Sequence, residues 1–239
     1  MTPSSSPPVL VEMHGHTAVV TLNRPDSRNS LDLDMRAALL AAVQQVRDDA
    51  QVRSVVLTGS GKAFCAGGDI RLMQSAAPDP WTTRDRVRRM QLWFRELCNL
   101  EKPVVAAVNG AAFGAGLNLA LAADFVLCAD NARLCASFSR LGVVPDLGGL
   151  YLLPRMVGLQ RAKELVYTAR EFSAQEAHAM GLAYAVRPAA TLRMPRDSNR
   201  ARTLLPRSSW PARSLAKPSC LVSIIVSRRR VSASVGMVA

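Results

Sequence analysis

Residues 102–124 read KPVVAAVNGAAFGAGLNLALAAD, and the rest of the chain is organised around them. Val104 to Val108 is a short continuous apolar run, the pattern of a strand buried on both faces. Asn109-Gly110 breaks it. Gly114, Ala115 and Gly116 follow, and Leu117, Leu119, Ala120 and Leu121 continue as a buried helix. A strand, a tight glycine turn and a helix N-terminus point unpaired backbone N–H groups at a ligand. Small side chains let that ligand come within hydrogen-bonding distance. The segment reads equally well as a tightly packed strand-to-helix turn with no ligand, and on its own it does not choose between the two.

Outward from that stretch, 239 residues that are 49% hydrophobic suffice for one large core, with or without an appendage. No apolar run approaches the roughly 20 residues of a membrane span, so no membrane partner is expected. The opening MTPSSSPP has neither a basic nor an apolar export region and is expected to be a disordered lead over residues 1–8. Five cysteines without paired spacing favour a reducing, cytoplasmic setting over a disulfide framework. With no CxxC pair and three histidines (His14, His16, His178), no metal site is expected. The net charge of +12 is uneven: residues 191–239 hold ten Lys/Arg and one acid, Asp197, leaving +3 for everything before them.

Along the chain, Val9 to Glu12 and Ala18 to Leu22 read as a hairpin around Gly15. A helix opens at Ser30-Leu31-Asp32 and carries Leu39, Leu40, Val43 and Val46 at helical spacing. Ser54 to Thr58 is a buried strand, closed by Gly59-Ser60-Gly61. A loop through Arg71 and a linker with Pro78 and Pro80 lead to a polar helix from Thr83 to about Asn99. After the opening segment come strands at Phe125 to Cys128 and Arg133 to Ala136. Short helices follow at Leu150 to Val157, Ala162 to Thr168 and Ala174 to Met180, the last with a capping box at Ser173 and Glu176, and Leu182 to Val186 returns to strand. Alternating strands and helices predict an α/β domain with largely parallel pairing. No internal repeat is visible. From Thr191 the chain turns basic and rich in Pro and Ser; with no amphipathic face and Trp210 as its lone aromatic, nucleic-acid binding is not expected. The abrupt shift in composition reads as a tail produced by a shifted reading frame.

A second glycine segment, GKAFCAGGDIR at residues 61–71, follows the Val55 to Thr58 strand as the first follows its own. Two parallel strands ending in glycine turns can bring two N–H donors together at their C-terminal ends, and such a pair stabilises an oxyanion.

At this point the chain resembles the crotonase superfamily, the enoyl-CoA hydratase/isomerase family, through NRPDSRNSL (23–31), GKAFCAGGDI (61–70), NGAAFGAGLNLALAAD (109–124), LGVVPDLGG (141–149) and the run from Arg161 to Val186. The resemblance covers about residues 9–188. It implies an α/β spiral of ββα units, here with the helical C-terminal trimerisation region lost or altered. It divides the chain into the lead, an acyl-CoA-binding core over 9–190 and an atypical tail over 191–239. It further implies an acyl-CoA thioester as substrate, with coenzyme A as part of that substrate and no separate cofactor, and a trimer or hexamer where the C-terminal helices are intact. By resemblance, Gly68 and Ala115 donate to the thioester oxygen, Arg28, Ser30, Ala66, Asp69 and Ile70 line the coenzyme A site, and Gly114 belongs to the substrate-binding turn.

The family's hydratases use two glutamates, and the matching positions here hold Asn118 and Phe138. Neither side chain can take a proton from water. Asp146 occupies the position at which related isomerases carry an acid, and one carboxylate suffices to move a proton from C2 to C4 of a 3-enoyl thioester. Phe138 and Leu141 would wall it from water and raise its pKa. The alternative is that Asp146 caps the following helix or turns the chain after Pro145. Glu164 is expected on a solvated helix face. The expected activity is therefore acyl-CoA isomerisation; a hydratase with another base, and a non-catalytic fold that binds a partner, are the competing readings.

Overall fold

The computed structural model describes residues 6–70 and 79–192. The basic stretch from residue 193, with its shifted-frame reading, and the loop at 71–78 lie outside the described residues.

The N-terminal hairpin forms as expected. β1 (Val9–His14) pairs antiparallel with β2 (Thr17–Leu22) around Gly15, whose φ of 61° belongs to a residue without Cβ. α1 (Leu33–Asp48) begins later than the sequence suggests, because Asp32 is its cap and not its first turn: the carboxylate accepts from the Met35 N–H at 2.7 Å. Its buried face is Met35, Leu39, Ala42, Val43 and Val46, a helical stripe against the sheet.

From there the chain repeats one step three times. β3 (Ser54–Gly59) is followed after three residues by β4 (Ala63–Cys65). β5 (Val104–Val108) is followed by β6 (Ala111–Phe113), and β7 (Phe125–Ala129) by β8 (Arg133–Cys135). Each pair crosses from one sheet to a second. The larger sheet has the order β1-β2-β3-β5-β7-β10, where β10 is Ala185–Arg187, and is parallel from β2 onward. The smaller has the order β4-β6-β8-β9, with β9 at Glu171–Ser173. This is the spiral of ββα units, and it corrects two readings. The loop and glycine turn expected at 61–71 and 109–116 each contain a strand, and a structural repeat exists where no sequence repeat is visible. Three-residue strands are too short to show a period of two.

Helices fill the outside. α2 (Pro80–Cys98) starts at Pro80, where a linker is expected, because Asp79 accepts from the Trp81 and Thr82 N–H groups and proline suits a first helical position. α3 (Ala115–Leu121) is buried throughout. After a 3-10 turn (Ser137–Leu141) come α4 (Gly149–Val157) and α5 (Leu159–Thr168). α6 (Ala174–Ala179) is capped by Ser173 as expected, and α7 (Ala189–Leu192) ends the described chain. The central strand is sealed: Val104, Ala106, Ala107 and Val108 are at most 1% exposed, as a strand covered on both faces must be. Its ends are tied by side chains. Asp124 accepts from the Val104 N–H, and Lys102 donates to the last carbonyls of α1 at Val46 and Asp49. No helix among the described residues is long and apolar enough to cross a membrane.

Candidate active site

Four segments meet at the ends of β4 and β6. The first is 28–31. Arg28 and Asn29 both adopt left-handed backbone, with φ of 53° and 57°. What holds them is the Asn29 carboxamide, fully buried, which donates to the carbonyls of Ser60, Ala63 and Phe64 and accepts from the Arg24 N–H. Asn29 is a residue that sequence reasoning missed; asparagine's tolerance of left-handed backbone inside NRPDSRNSL was the available signal.

The second segment, 65–69, lies alongside the first. Ala66 N–H donates to the Arg28 carbonyl at 2.9 Å, and Leu31 N–H donates to the Gly67 carbonyl at 2.8 Å. The two segments thus run parallel, with Leu31 bridged to Gly68. This brings Arg28, Ser30, Ala66 and Asp69 to one edge; Ser30, Ala66 and Asp69 are half-buried, and Arg28 and Ile70 are exposed.

The third segment is the glycine turn into α3. Contact with the second is backbone on backbone: a Cβ on Gly67 would lie 2.7 Å from the Phe113 carbonyl oxygen and 3.4 Å from the Ala115 nitrogen. A Cβ on Gly116 would lie 2.1 Å from the Cys65 carbonyl oxygen. Glycine is required at both because two chains pass without room for a side chain. The pairing of Cys65 with Ala112 sets the register, so Gly68 and Ala115 each stand three residues beyond a paired position. Neither N–H is among the backbone donors satisfied by the turns and caps of the described residues. Gly114 has φ 52° and ψ −120° and faces the 3-10 turn; a Cβ there would meet Ser137 Oγ at 3.0 Å and the Phe138 ring at 3.9 Å. Phe138 is buried at 6% exposure, whereas Leu141, at the end of the same turn, is 46% exposed.

The fourth segment is 145–149. Asn118, one helical turn beyond Ala115, is buried and donates its Nδ2–H to the Asp146 carbonyl at 2.7 Å. The Asp146 carboxyl does not cap α4: the cap position is Gly148, with no side-chain hydrogen bond. The capping alternative is thereby removed. Asp146 Oδ1 is instead buried with no hydrogen-bond partner. Burial pushes this carboxyl above its ordinary range, against the opposing pull of the Arg36 guanidinium on α1. An unsatisfied buried acceptor is costly, and strained backbone lies beside it, since Leu147 has φ 41°.

Other polar groups are accounted for structurally. Glu164 is ion-paired with Arg170, which also holds Glu176, so it is fixed on its face and not freely solvated. Cys65 and Cys128 are buried thiols pushed up to about 12, unsuited to nucleophilic work. No cluster of three metal-ligating side chains occurs among the described residues. A surface cleft of about 700 Å³ lies elsewhere, between Val157, Leu159, Arg161, Glu176 and Met180, and contains no residue of the four segments above.

The architecture defines a spiral α/β protein in which two glycine turns meet where two strands of one sheet end. The enoyl-CoA hydratase/isomerase family model matches residues 12–217, and the chain belongs to that family. The match runs past residue 190, into the basic stretch. The 1,2-epoxyphenylacetyl-CoA isomerase of Escherichia coli K12 is 39% identical over 180 residues, which is 74% of this chain and 69% of that protein. The crotonyl-CoA hydratase of Syntrophomonas wolfei is 41% identical over 175 residues, 73% and 66% of the two chains. Among solved structures, an enoyl-CoA hydratase/isomerase from Cupriavidus metallidurans CH34 superposes with a TM-score of 0.75 at 40% identity, covering 79% of this chain and 71% of that one. Relatives named for an isomerase and for a hydratase stand at nearly equal identity, so likeness carries the family and leaves the choice of reaction to the side chains.

Proposed function

We propose that this chain is an acyl-CoA isomerase that shifts a double bond through a thioester enolate. The observation that carries the reading is the Asp146 carboxyl, whose Oδ1 is buried with no hydrogen-bond partner, in a site whose two other candidate acid positions hold Asn118 and Phe138. The carboxylate takes a proton from C2 of a 3-enoyl thioester. The electron pair moves onto the thioester oxygen, which receives hydrogen bonds from the Gly68 and Ala115 N–H groups. The dienolate then collapses as the same carboxyl returns the proton to C4, giving the 2-enoyl isomer with no net change in atoms or charge. Burial strengthens Asp146 as a base for this work, and the Phe138 ring beside Gly114 keeps water from the enolate.

Arg28, Ser30, Ala66, Asp69 and Ile70 take the coenzyme A moiety, Arg28 from its exposed position serving the phosphates. Leu141 lines the acyl end. Coenzyme A enters as part of the substrate, no separate cofactor is required, and the enzyme works in the cytoplasm, as a homo-oligomer where its C-terminal helices are intact.

The test is turnover of a 3-enoyl-CoA to its 2-enoyl isomer, compared with Asp146→Ala. Loss of at least about 100-fold in kcat is expected, the scale of general acid–base catalysis. The hydratase reading, favoured by the hydratase names among relatives, predicts instead hydration of a 2-enoyl-CoA. Hydration that survives Asp146→Ala would overturn the isomerase assignment.

A further inference from the structure

We infer that Asn118 is the positioning residue for Asp146, gripping the backbone of the turn from outside while one carboxyl oxygen, Oδ1, is left without a hydrogen-bond partner. This inference rests on Asp146 being the base. Three observations support it. The Asn118 carboxamide donates to the Asp146 carbonyl at 2.7 Å, a side-chain hydrogen bond that reaches the turn from α3. The same carboxamide fills the space beside Gly149, where a Cβ would lie 2.3 Å from its Nδ2, 2.8 Å from its Cγ and 2.9 Å from its Oδ1. Finally, Gly149 N–H also donates to the Asp146 carbonyl, at 2.8 Å, so the turn's own bond and the Asn118 bond converge on that one oxygen.

The turn between these grips is strained at Leu147, a non-glycine residue whose positive φ needs support from outside. Gly148 is backed by the Phe94 ring of α2, at 3.1 Å from where its Cβ would stand. Asn118 and Asn29 are the two buried polar side chains of the described residues, and each spends its carboxamide on backbone carbonyls of a segment of the site. An asparagine on an otherwise apolar, fully covered helix costs stability unless it is hydrogen-bonded. Here the bond is made to the residue that carries the acid. Asn118 is thus more than the absence of a second carboxylate: it holds the remaining one in place.

The experiment uses the full chain with aspartate carboxyls labelled with ¹³C, the Asp146 resonance being assigned by its loss in Asp146→Asn. Asn118→Ala removes the grip, and Asn118→Leu removes the donor while keeping the volume in an apolar setting, which guards against failure to fold. Arg36 on α1 is the charged group acting on the carboxyl, Phe94 faces the turn from α2, and α3 itself carries no ionisable side chain. In both variants the released carboxyl reaches water, and Asp146 titrates at a lower pH than in the parent. Turnover of a 3-enoyl-CoA falls about 100-fold in kcat, the cost of misplacing a reacting group by about 1 Å, with KM changed by no more than about threefold because coenzyme A contacts are untouched. An Asp146 titration unchanged in both variants overturns the inference whatever the turnover. If Asp146→Asn keeps full isomerase activity, the base assignment fails, and the titration still decides what Asn118 does.

Discussion

Gly116→Ala inverts the usual effect of that substitution. In an exposed helix, replacing glycine by alanine gains about 0.5–1 kcal/mol through reduced backbone entropy. In α3 the added methyl carbon would stand 2.1 Å from the Cys65 carbonyl oxygen and 2.8 Å from its carbon, both backbone atoms that no side-chain rotation can move. Ordinary contact begins near 3.4 Å, so helix and strand must part by more than 1 Å. Overpacking of this kind costs about 1–3 kcal/mol, and at about 2–4 °C per kcal/mol for a domain of this size the melting temperature drops by several degrees. The same separation pulls the Ala115 N–H away from Gly68, and losing one oxyanion donor costs about 10²–10³ in kcat. Circular dichroism melting and steady-state turnover of a 3-enoyl-CoA measure the two effects on one sample. A melting temperature equal to or above the parent's refutes the packing argument. A lowered melting temperature with kcat unchanged refutes the placement of the two donors.

Three further outcomes follow from the geometry. Burial holds the Asp146 carboxyl high, so ionising it costs the folded chain more than the unfolded one; that cost is absent below about pH 4 and accrues as pH rises through the raised value. Asp146→Asn therefore melts above the parent at pH 7–8 and converges with it near pH 4, and a gap that widens on acidification would contradict the burial argument. Asn29→Ala strands three carbonyls and the Arg24 N–H and puts alanine in left-handed backbone; at about 1 kcal/mol or more for each buried group, urea unfolding is expected to show a loss of about 3 kcal/mol or more. Cys65 and Cys128, with thiols near 12, ionise to only about one part in 10⁴ at pH 8. Peptide mapping after iodoacetamide treatment of the native chain should leave both unmodified until denaturant is added.

Long apolar runs made the larger sheet legible. Val104–Val108 and the hairpin strands needed only continuous apolar runs and a glycine between them to be read, and the Ser173 cap was visible as a residue pair. Of the smaller sheet, Arg133–Cys135 was read, but Ala63–Cys65 and Ala111–Phe113 were not, because they are three residues long and embedded among glycines whose local signal is that of a turn. Pro80 misled for a related reason: a proline reads as a break until the acid before it is seen to cap a helix. At the site, the segments carrying Gly68, Ala115 and Asp146 were legible from their motifs. The work of Asn29 and Asn118 was not, since each is defined by carbonyls between 28 and 35 residues away in sequence. Such bonds exist only once the spiral has closed.

The repeated crossing between sheets has a consequence for how the chain could change its chemistry. Gly68 and Ala115, the two proposed donors, stand equally far beyond neighbouring strands of the smaller sheet, so the proposed site takes its spacing from the strand separation of about 4.8 Å and not from any side chain. A mutation that swaps a carboxylate for an asparagine on α3, or an acid for a phenylalanine on the 3-10 turn, leaves that spacing alone. On the proposed mechanism, side chains around the carbonyl oxygen can be traded one at a time while the two backbone donors stay in place. Divergence among reactions then requires moving a proton donor, not rebuilding a scaffold.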